Sequence, residues 1–421
     1  MSVSTESPAP EGSPGVEDRG PKTPEFKGLA SVGDFRAAAK RRLPKAIFDF
    51  VDGAAGDEYT LRSNEEAFQR YAFRPRVLTD VSKVDVGTTI FGKRSGLPLF
   101  LGPSGTQRIV SKDGEIAAVR AAAKFGTVYV LTVGASRSIE QVAEAGKGAR
   151  LWFQLYLWQG RDWAEALLAR AEAAGFEALV VTVDIKSPGG RKYRDIRNRI
   201  TRMPESLAVG TVIDAALHPR WLYSYFAGGS SSMAHVQSDG KDTSVFRASK
   251  ETWRRMDPSA TWDEISWLRS VWKGPLVVKG ILTAEDAEAA FAHGVDAVVC
   301  SNHGGRALDG SPATLDALPE IVKVARKRNK EVFLDGGVRT GQDLVKALAL
   351  GANACLVARP FWWGLTVGGE RGVRAILGLF RDELLSTLTL LGKTSVKQLS
   401  PNDVQERPGW RRATESVPSV K

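Results

Sequence analysis

The chain has 421 residues and a net charge of +10, and 43% of its residues are hydrophobic while 25% are charged. This composition is typical of a globular protein with a large core, and it excludes wholesale disorder and a collagen-like chain. No apolar run approaches the roughly 20 residues that cross a bilayer, and the N-terminal residues lack the pattern of a secretory signal. These observations predict a cytoplasmic protein.

Cysteine and histidine usage argues against metal chemistry. Cys300 and Cys355 cannot form a disulfide framework or a Cys-based zinc site, and the four histidines include no HExxH pair. We therefore predict no metal site. The positive charge favours an anionic partner, but the basic residues are scattered and no zinc-finger or RNP motif is present, which argues against nucleic acid.

Both ends of the chain differ in composition from its middle. Residues 1–28 hold five of the 20 prolines together with Ser, Glu and Gly, which predicts a disordered tail. Residues 400–421 are polar and are broken by three prolines, which predicts a second loose tail. The single folded domain is therefore expected to span residues 29–399.

An alternation of strand and helix patterns fills this domain. Short apolar runs, which are typical of strands buried on both faces, occur at 97–105, 127–133, 149–157, 178–184, 275–280, 297–302, 331–337 and 354–359. Amphipathic helical patterns follow them, for example at 114–125, 162–174, 284–293, 313–329 and 341–350. Eight such repeats predict an α/β fold, a (β/α)8 TIM barrel.

Two segments lie outside this repeat. Residues 29–96 contain the helical pattern SVGDFRAAAKRRLPKAIFDFVDGA and are expected to form an N-terminal helical cap. Residues 201–261 form a long excursion after the fourth predicted strand, for which we prefer a lid over the active site. A peripheral contact with a membrane or a partner through Trp221, Tyr223 and Phe226 is the alternative.

Polar residues stand at the ends of all eight predicted strands, where a barrel of this kind carries its active site. The segments after the last two strands suit a phosphate, because Gly336 and Gly337 free backbone N–H groups while Arg339 and Arg359 can clamp oxygen atoms. His303 is the leading general-base candidate, with Arg306 beside it to hold a carboxylate.

Two further charged residues fit this chemistry. Asp184 can orient the imidazole of His303 and stabilise its protonated form. Lys279 interrupts an apolar strand, and such a buried cation needs an anionic partner, for which a reduced flavin is suited.

With these residues the chain resembles the FMN-dependent α-hydroxy acid oxidase and dehydrogenase family, which includes glycolate-, L-lactate- and mandelate-oxidising enzymes. The most specific motifs are SNHGGRALDGSPATLDALPEIV at 301–322 and FLDGGVRTGQDLVKALALGA at 333–352. WFQLY at 152–156, TVD at 182–184 and VVKGILTAEDA at 277–287 support the resemblance.

The resemblance implies FMN as cofactor and a small carboxylate as substrate. Arg306 would bind the substrate carboxylate, His303 and Tyr156 would contact its hydroxyl group, and His303 would accept a proton. The residues that would contact FMN are Pro103, Ser104, Gly105, Thr132, Gln154, Thr182, Lys279, Ser301, Asp335, Gly336, Gly337, Arg339, Ala358 and Arg359.

Three departures from the family pattern concern the substrate. Phe50 replaces a tyrosine that contacts the carboxylate, and Gly134 replaces a tryptophan, which predicts room for a substrate bulkier than glycolate or lactate. Lys192 stands where the family has a second substrate arginine. Because the preceding loop is one residue longer, Arg191 and Arg194 are alternative candidates for that role.

The resulting prediction is oxidation of an (S)-2-hydroxy acid to the 2-oxo acid. The alternative is an FMN barrel that oxidises an amine, a modified peptide or a natural product, or that catalyses an isomerisation. Oxygen, a quinone and a cytochrome remain open as the electron acceptor. The resemblance also implies a homo-oligomer, commonly a tetramer.

Overall fold

The computed structural model describes residues 26–158, 160–186, 192–198, 209–228, 233–236 and 256–407. Its strands are β1 (Tyr71–Phe73), β2 (Thr88–Ile90), β3 (Lys93–Ser95), β4 (Leu99–Leu101), β5 (Val128–Thr132), β6 (Arg150–Tyr156), β7 (Ala178–Thr182), β8 (Leu276–Ile281), β9 (Ala297–Cys300), β10 (Glu331–Leu334), β11 (Ala354–Val357) and β12 (Val404–Glu406).

Strands β4 to β11 form a closed barrel of parallel strands in chain order, which confirms the predicted (β/α)8 fold. Seven of the eight lie within the predicted apolar runs, and β8 extends one residue beyond its run, to Ile281. Several strands end earlier than predicted because the polar residues at their carboxyl ends leave the sheet. The strands are buried on both faces, and Phe100, Trp152 and Phe333 pack edge to face or tilted inside the barrel. The barrel interior is therefore a packed core, and its carboxyl end is left for the site.

The described helices are α1 (Val32–Arg42), α2 (Lys45–Asp52), α3 (Tyr59–Gln69), α4 (Glu115–Lys124), α5 (Ile139–Ala145), α6 (Arg161–Ala173), α7 (Tyr193–Arg197), α8 (Val209–Ala216), α9 (Pro219–Ala227), α10 (Trp262–Val271), α11 (Ala284–Ala292), α12 (Thr314–Lys327), α13 (Gly341–Ala349) and α14 (Arg359–Leu390). None of the helices in this part of the chain is both long and apolar enough to span a membrane.

The segment before the barrel contains the predicted helical pattern as two helices. Ser31 caps α1 with a reciprocal hydrogen-bond pair to Asp34. The chain then breaks at Pro44, and α2 begins directly after it, because proline lacks the N–H that a continuing helix needs. Helix α2 brings Phe50 and Val51 to the carboxyl end of the barrel.

The prediction of a loose C-terminal tail is wrong for residues 400–407. Strand β12 pairs in antiparallel register with β1, so that Phe73 lies opposite Val404. Val404 is buried, and Asp403 pairs with Lys393. Sequence reasoning missed this short strand because it is attached mainly by backbone pairing with a distant strand, which its polar composition does not reveal. The rest of that tail, residues 408–421, lies outside the described residues.

The predicted N-terminal tail also ends earlier than expected. Phe26 packs edge to face on Phe35, with ring centroids 5.4 Å apart. Residues 1–25 lie outside the described part.

The excursion after β7 is described in pieces. Helix α9 packs on the barrel through Trp221, whose Nε1 donates to the carbonyl oxygen of Ile109 over 2.8 Å. A later segment returns to the barrel mouth, where Met233 and Met256 line the cavity. This return supports the lid interpretation.

Candidate active site

A cavity of about 290 Å³ opens at the carboxyl ends of the barrel strands. Its wall contains seventeen of the residues singled out from the sequence; one is Lys192, and the others come from separate strand ends and from α2. The others are Phe50, Pro103, Ser104, Gly105, Thr132, Gly134, Tyr156, Lys279, His303, Arg306, Asp335, Gly336, Gly337, Arg339, Ala358 and Arg359.

His303 and Asp184 form a hydrogen-bonded pair, with 2.9 Å between Nδ1 and Oδ1. Burial alone would raise the pKa of Asp184, but the charges of His303 and Lys279 outweigh it and hold that pKa below its ordinary value. Burial lowers the pKa of His303, and Asp184 opposes this only in part. The imidazole is therefore neutral near pH 7, with Nδ1–H donated to Asp184 and Nε2 able to accept a proton.

The backbone at His303 is constrained. Its φ of 59° lies in the left-handed region, which costs free energy for a residue with a side chain. The hydroxyl of Ser301 accepts a hydrogen bond from the His303 backbone N–H over 3.1 Å. This fixed turn aims the imidazole into the cavity.

Lys279 carries a buried positive charge into the barrel mouth. Its Nζ lies 3.0 Å from Asp335 Oδ2 and donates to the hydroxyl of Ser301 over 2.8 Å. Burial lowers the pKa of Lys279, but Asp335 and Asp184 outweigh this effect and raise it above its ordinary value. Lys279 therefore stays charged, and Asp335 keeps a second buried oxygen, Oδ1, without a partner among the described residues.

The ends of β10 and β11 form an anion-binding corner. Gly336 and Gly337 have φ angles of 90° and 82°, and a Cβ at Gly337 would lie 2.1 Å from the carbonyl oxygen of Asn64. Only glycine therefore fits there. Helix α14 begins at Arg359, so its first backbone N–H groups lie at this corner beside Arg339.

Arg306 is held by the backbone at the end of α2. Its Nη1 donates to the carbonyl oxygens of Phe50 and Gly53 over 2.9 Å each, and the ring of Phe50 lies 5.6 Å from the guanidinium carbon. Nη2 and Nε have no hydrogen-bond partner among the described residues, and no carboxylate there forms an ion pair with this guanidinium. Two donors are thus left for an anion in the cavity.

Three predicted cofactor contacts lie behind the cavity wall. Gln154 is fully buried, and its amide joins the hydroxyls of Thr132 and Thr182, at 2.5 and 3.0 Å. Ser301 lies under Lys279 and His303. Direct contact of Gln154, Thr182 and Ser301 with a cofactor stays a prediction, and in the structure they support residues that line the cavity.

The structure separates the candidates for the second substrate cation. Lys192 lines the cavity, where burial and the charge of Arg306 lower its pKa to about 7. Arg194 binds Asp52 and Glu58 instead. Arg191 lies outside the described residues.

One end of the cavity is apolar, and sequence reasoning missed most of it. Trp158 stacks between Tyr156 and Trp163, with ring centroids 5.9 and 5.3 Å apart. Further apolar residues line this end, namely Ile185, Met233 and Met256. A Cβ at Gly134 would have only the hydroxyl of Thr132 within 4 Å, at 3.9 Å, so this position leaves open space.

A parallel barrel with a partly buried histidine–aspartate pair, a guanidinium that keeps two donors for a ligand and an anion-binding corner defines a barrel enzyme with a general base next to an anion site. The chain matches the family model described as FMN-dependent dehydrogenase over residues 39–406. It therefore belongs to the FMN-dependent dehydrogenase family, as its motifs predicted. It is an oxidoreductase of the FMN-dependent 2-hydroxy acid oxidases and dehydrogenases.

Curated relatives cover nearly the whole chain. It is 39% identical to human 2-hydroxyacid oxidase 1 over 380 residues, which is 90% of this chain and 97% of the relative. It is 38% identical to (S)-mandelate dehydrogenase of Pseudomonas putida over 377 residues, which is 90% and 94% of the two chains. A solved structure of the monotopic membrane protein (S)-mandelate dehydrogenase superposes with a TM-score of 0.86 at 37% identity, covering 90% of this chain and 100% of that one.

The cavity fits FMN. The unpartnered Oδ1 of Asp335 can accept from a hydroxyl of the ribityl chain, since buried acceptors are rarely left unpaired. The glycine corner with Arg339 and Arg359 can hold the phosphate, and Lys279 can offset negative charge on the ring system. When bound, FMN accepts the two electrons that the substrate loses.

Proposed function

We propose that the chain oxidises an (S)-2-hydroxy acid with a bulky, apolar side chain to the corresponding 2-oxo acid. The arrangement of His303 and Arg306 supports this proposal, because one cavity wall offers a neutral base next to a guanidinium with two free donors. Arg306 binds the carboxylate, assisted by Lys192. His303 accepts a proton of the substrate at Nε2, and Asp184 stabilises the imidazolium that forms.

The apolar end of the cavity supports the size preference. Trp158, Met233 and Met256 offer surface for an aryl or long aliphatic side chain, and Gly134 leaves the space that a larger residue would fill. Tyr156 faces the same region, and burial raises its pKa to about 12, so its hydroxyl group stays protonated and can donate to the substrate.

A substrate panel tests this preference. Wild-type enzyme loaded with FMN should oxidise (S)-mandelate and long-chain 2-hydroxy acids with a higher kcat/KM than glycolate. Gly134→Trp should reverse that order, because the indole ring would fill the space meant for a bulky substrate side chain. Loss of such an apolar contact lowers kcat/KM roughly 10- to 200-fold. Gly134→Ala is the matched control and should keep the wild-type order, and a wild-type preference for glycolate would contradict the proposal.

The second candidate chemistry is oxidation of an amine or another substrate without a carboxylate. The departures from the family pattern at Phe50 and Lys192 favour this alternative. Arg306 argues against amine oxidation, because the guanidinium of Arg306 and the side chain of Lys192 would repel a substrate ammonium group. Oxygen, a quinone and a cytochrome stay the three candidate electron acceptors, and the homo-oligomer and the cytoplasmic location stay predictions.

We also propose that the excursion contacts a membrane surface. Its two described helices and the turn between them expose apolar side chains, of which Leu217 in the turn is 73% exposed and Phe226 in α9 is 72% exposed. The further members of this surface are Val212, Ile213 and Tyr223. The structural relative named above is a monotopic membrane protein, and the net charge of +10 favours anionic lipid.

Cosedimentation with vesicles tests the membrane contact. Wild-type protein should bind vesicles that contain anionic phospholipid more strongly than neutral vesicles, and Tyr223→Ser combined with Phe226→Ser should weaken binding about 10-fold or more. Leu390→Ser, which removes an equally exposed leucine outside the excursion, is the control and should bind like wild type. Equal binding of all three proteins, or none by wild type, would contradict the proposal.

A further inference from the structure

Arg194 lies next to the cavity but does not face it. We propose that Arg194 is a positioning residue that fixes the conformation of the turn from Asp52 to Glu58. In this conformation the backbone carbonyls of the turn accept hydrogen bonds from Arg306 and Arg359. The part of this inference that concerns substrate rests on the proposed function, whereas the part that concerns FMN does not.

The end of α2 holds both cavity arginines. Arg306 Nη1 donates to the Gly53 carbonyl oxygen over 2.9 Å, and Arg359 Nη2 donates to the same oxygen over 2.8 Å. Arg359 Nε donates to the carbonyl oxygen of Asp52 over 3.1 Å. The last carbonyls of a helix have no partner within the helix and carry partial negative charge, so they are suitable acceptors for guanidinium groups.

Arg194 joins the two ends of the turn that carries these carbonyls. Its Nη1 lies 2.9 Å from Asp52 Oδ2, and its Nη2 binds Glu58 Oε2. Glu58 in turn accepts a hydrogen bond from the backbone N–H of Ala54 through Oε1, over 3.1 Å. The stem of Arg194 covers Gly53, since a Cβ built there would lie 3.4 Å from Arg194 Cδ.

This contact is more than a surface ion pair. The side chain of Asp52 is 3% exposed and that of Glu58 is 14% exposed, so solvent screens the pair weakly. Burial would raise the pKa of Asp52, but Arg36 and Arg194 hold it below its ordinary value. Removing Arg194 would leave Asp52 with Arg36 and Asp49 with Lys45, but it would leave Glu58 without its cation and would remove the link between Asp52 and Glu58 that closes the turn.

Arg194 also connects the turn to α7, which lies between β7 and the excursion. Arg194 belongs to α7, and the backbone of Lys192, the residue directly before this helix, forms an isolated parallel bridge with Gly56. Asn198 at the end of α7 donates to Asp49 over 2.8 Å. The two arginines of the cavity are thus held by a turn that α7 and the residues beside it fix.

Three variants test the proposal with three measurements. Arg194→Ala should weaken binding of FMN to the apoprotein and raise KM for an (S)-2-hydroxy acid, each by about 10-fold, with kcat changed less than KM. Arg194→Lys should lie between Arg194→Ala and wild type, because one ammonium group cannot bind both carboxylates as a fork does. Arg197→Ala removes an exposed arginine of the same helix and should match wild type in FMN affinity, KM and thermal midpoint.

The three measurements separate positioning from plain stabilisation. If Arg194→Ala and Arg194→Lys lower only the thermal midpoint, and leave FMN affinity and KM at the values of Arg197→Ala, the proposal is wrong. If Arg194→Ala does not fold, Arg194→Lys and Glu58→Gln decide by the same criterion. Should wild type oxidise no 2-hydroxy acid, the proposed function fails, while the FMN titration still decides the role of Arg194.

Discussion

Replacing His303 by alanine should lower the rate of flavin reduction by a 2-hydroxy acid roughly 10²- to 10⁴-fold, the contribution of a positioned general base. The physical reason is that His303 is a neutral base bonded to a carboxylate, and alanine removes this acceptor for the substrate proton. Single-turnover mixing without oxygen measures this rate directly. FMN content should stay that of wild type.

The pH dependence gives a second readout on the same residue. Only neutral His303 can accept a proton, so the rate falls as the pH drops through its pKa. Because burial lowers that pKa, the wild-type rate should persist below the range in which an exposed histidine titrates. In Asp184→Asn the loss of the negative charge should lower the pKa of His303 further, so the fall in rate should occur at still lower pH. The maximal rate at higher pH should also decrease, because the imidazolium loses its stabilising carboxylate. A His303→Ala enzyme as fast as wild type would rule out His303 as the base.

Replacing Arg306 by lysine should cost roughly 10- to 100-fold in kcat/KM for 2-hydroxy acids, since a hydrogen bond to a charged partner contributes about 1.5–3 kcal/mol. Nη1 of Arg306 donates to backbone carbonyls, whereas Nη2 and Nε stay available for the substrate carboxylate. The single ammonium group of a lysine cannot bind the carbonyls and the carboxylate at the same time. Steady-state kinetics with an artificial electron acceptor measures the loss.

The same variant separates the two chemistries. A panel of amines without a carboxylate serves as the control, and their oxidation, if any, should not depend on Arg306. Unchanged kcat/KM for 2-hydroxy acids in Arg306→Lys would contradict carboxylate binding by this residue. Thermal midpoint and FMN content show whether the variant is folded and loaded.

The barrel could be predicted from sequence because its strands are buried on both faces. Such strands appear as uninterrupted apolar runs, and in a parallel barrel all carboxyl ends lie at one end. The polar residues at the carboxyl ends of these strands, such as Ser104, Lys279 and His303, are therefore expected to lie close together. Their spacing along the chain carries this information without any tertiary contact.

Residues outside the repeat could not be placed in the same way. Met233 and Met256 reach the cavity because a long excursion folds back, and no local periodicity encodes that path. Lys192 and Arg194 are two residues apart, and only the direction of α7 decides which one faces the cavity. The polar strand β12 depends on pairing with β1, more than 300 residues away.

Anaerobic mixing of the FMN-loaded protein with an (S)-2-hydroxy acid such as mandelate tests the central claim most directly. The yellow flavin absorbance should disappear, and one equivalent of 2-oxo acid should form per flavin, whereas the (R)-enantiomer should leave the absorbance unchanged. Flavin that stays oxidised with every member of a broad panel of (S)-2-hydroxy acids would contradict the account.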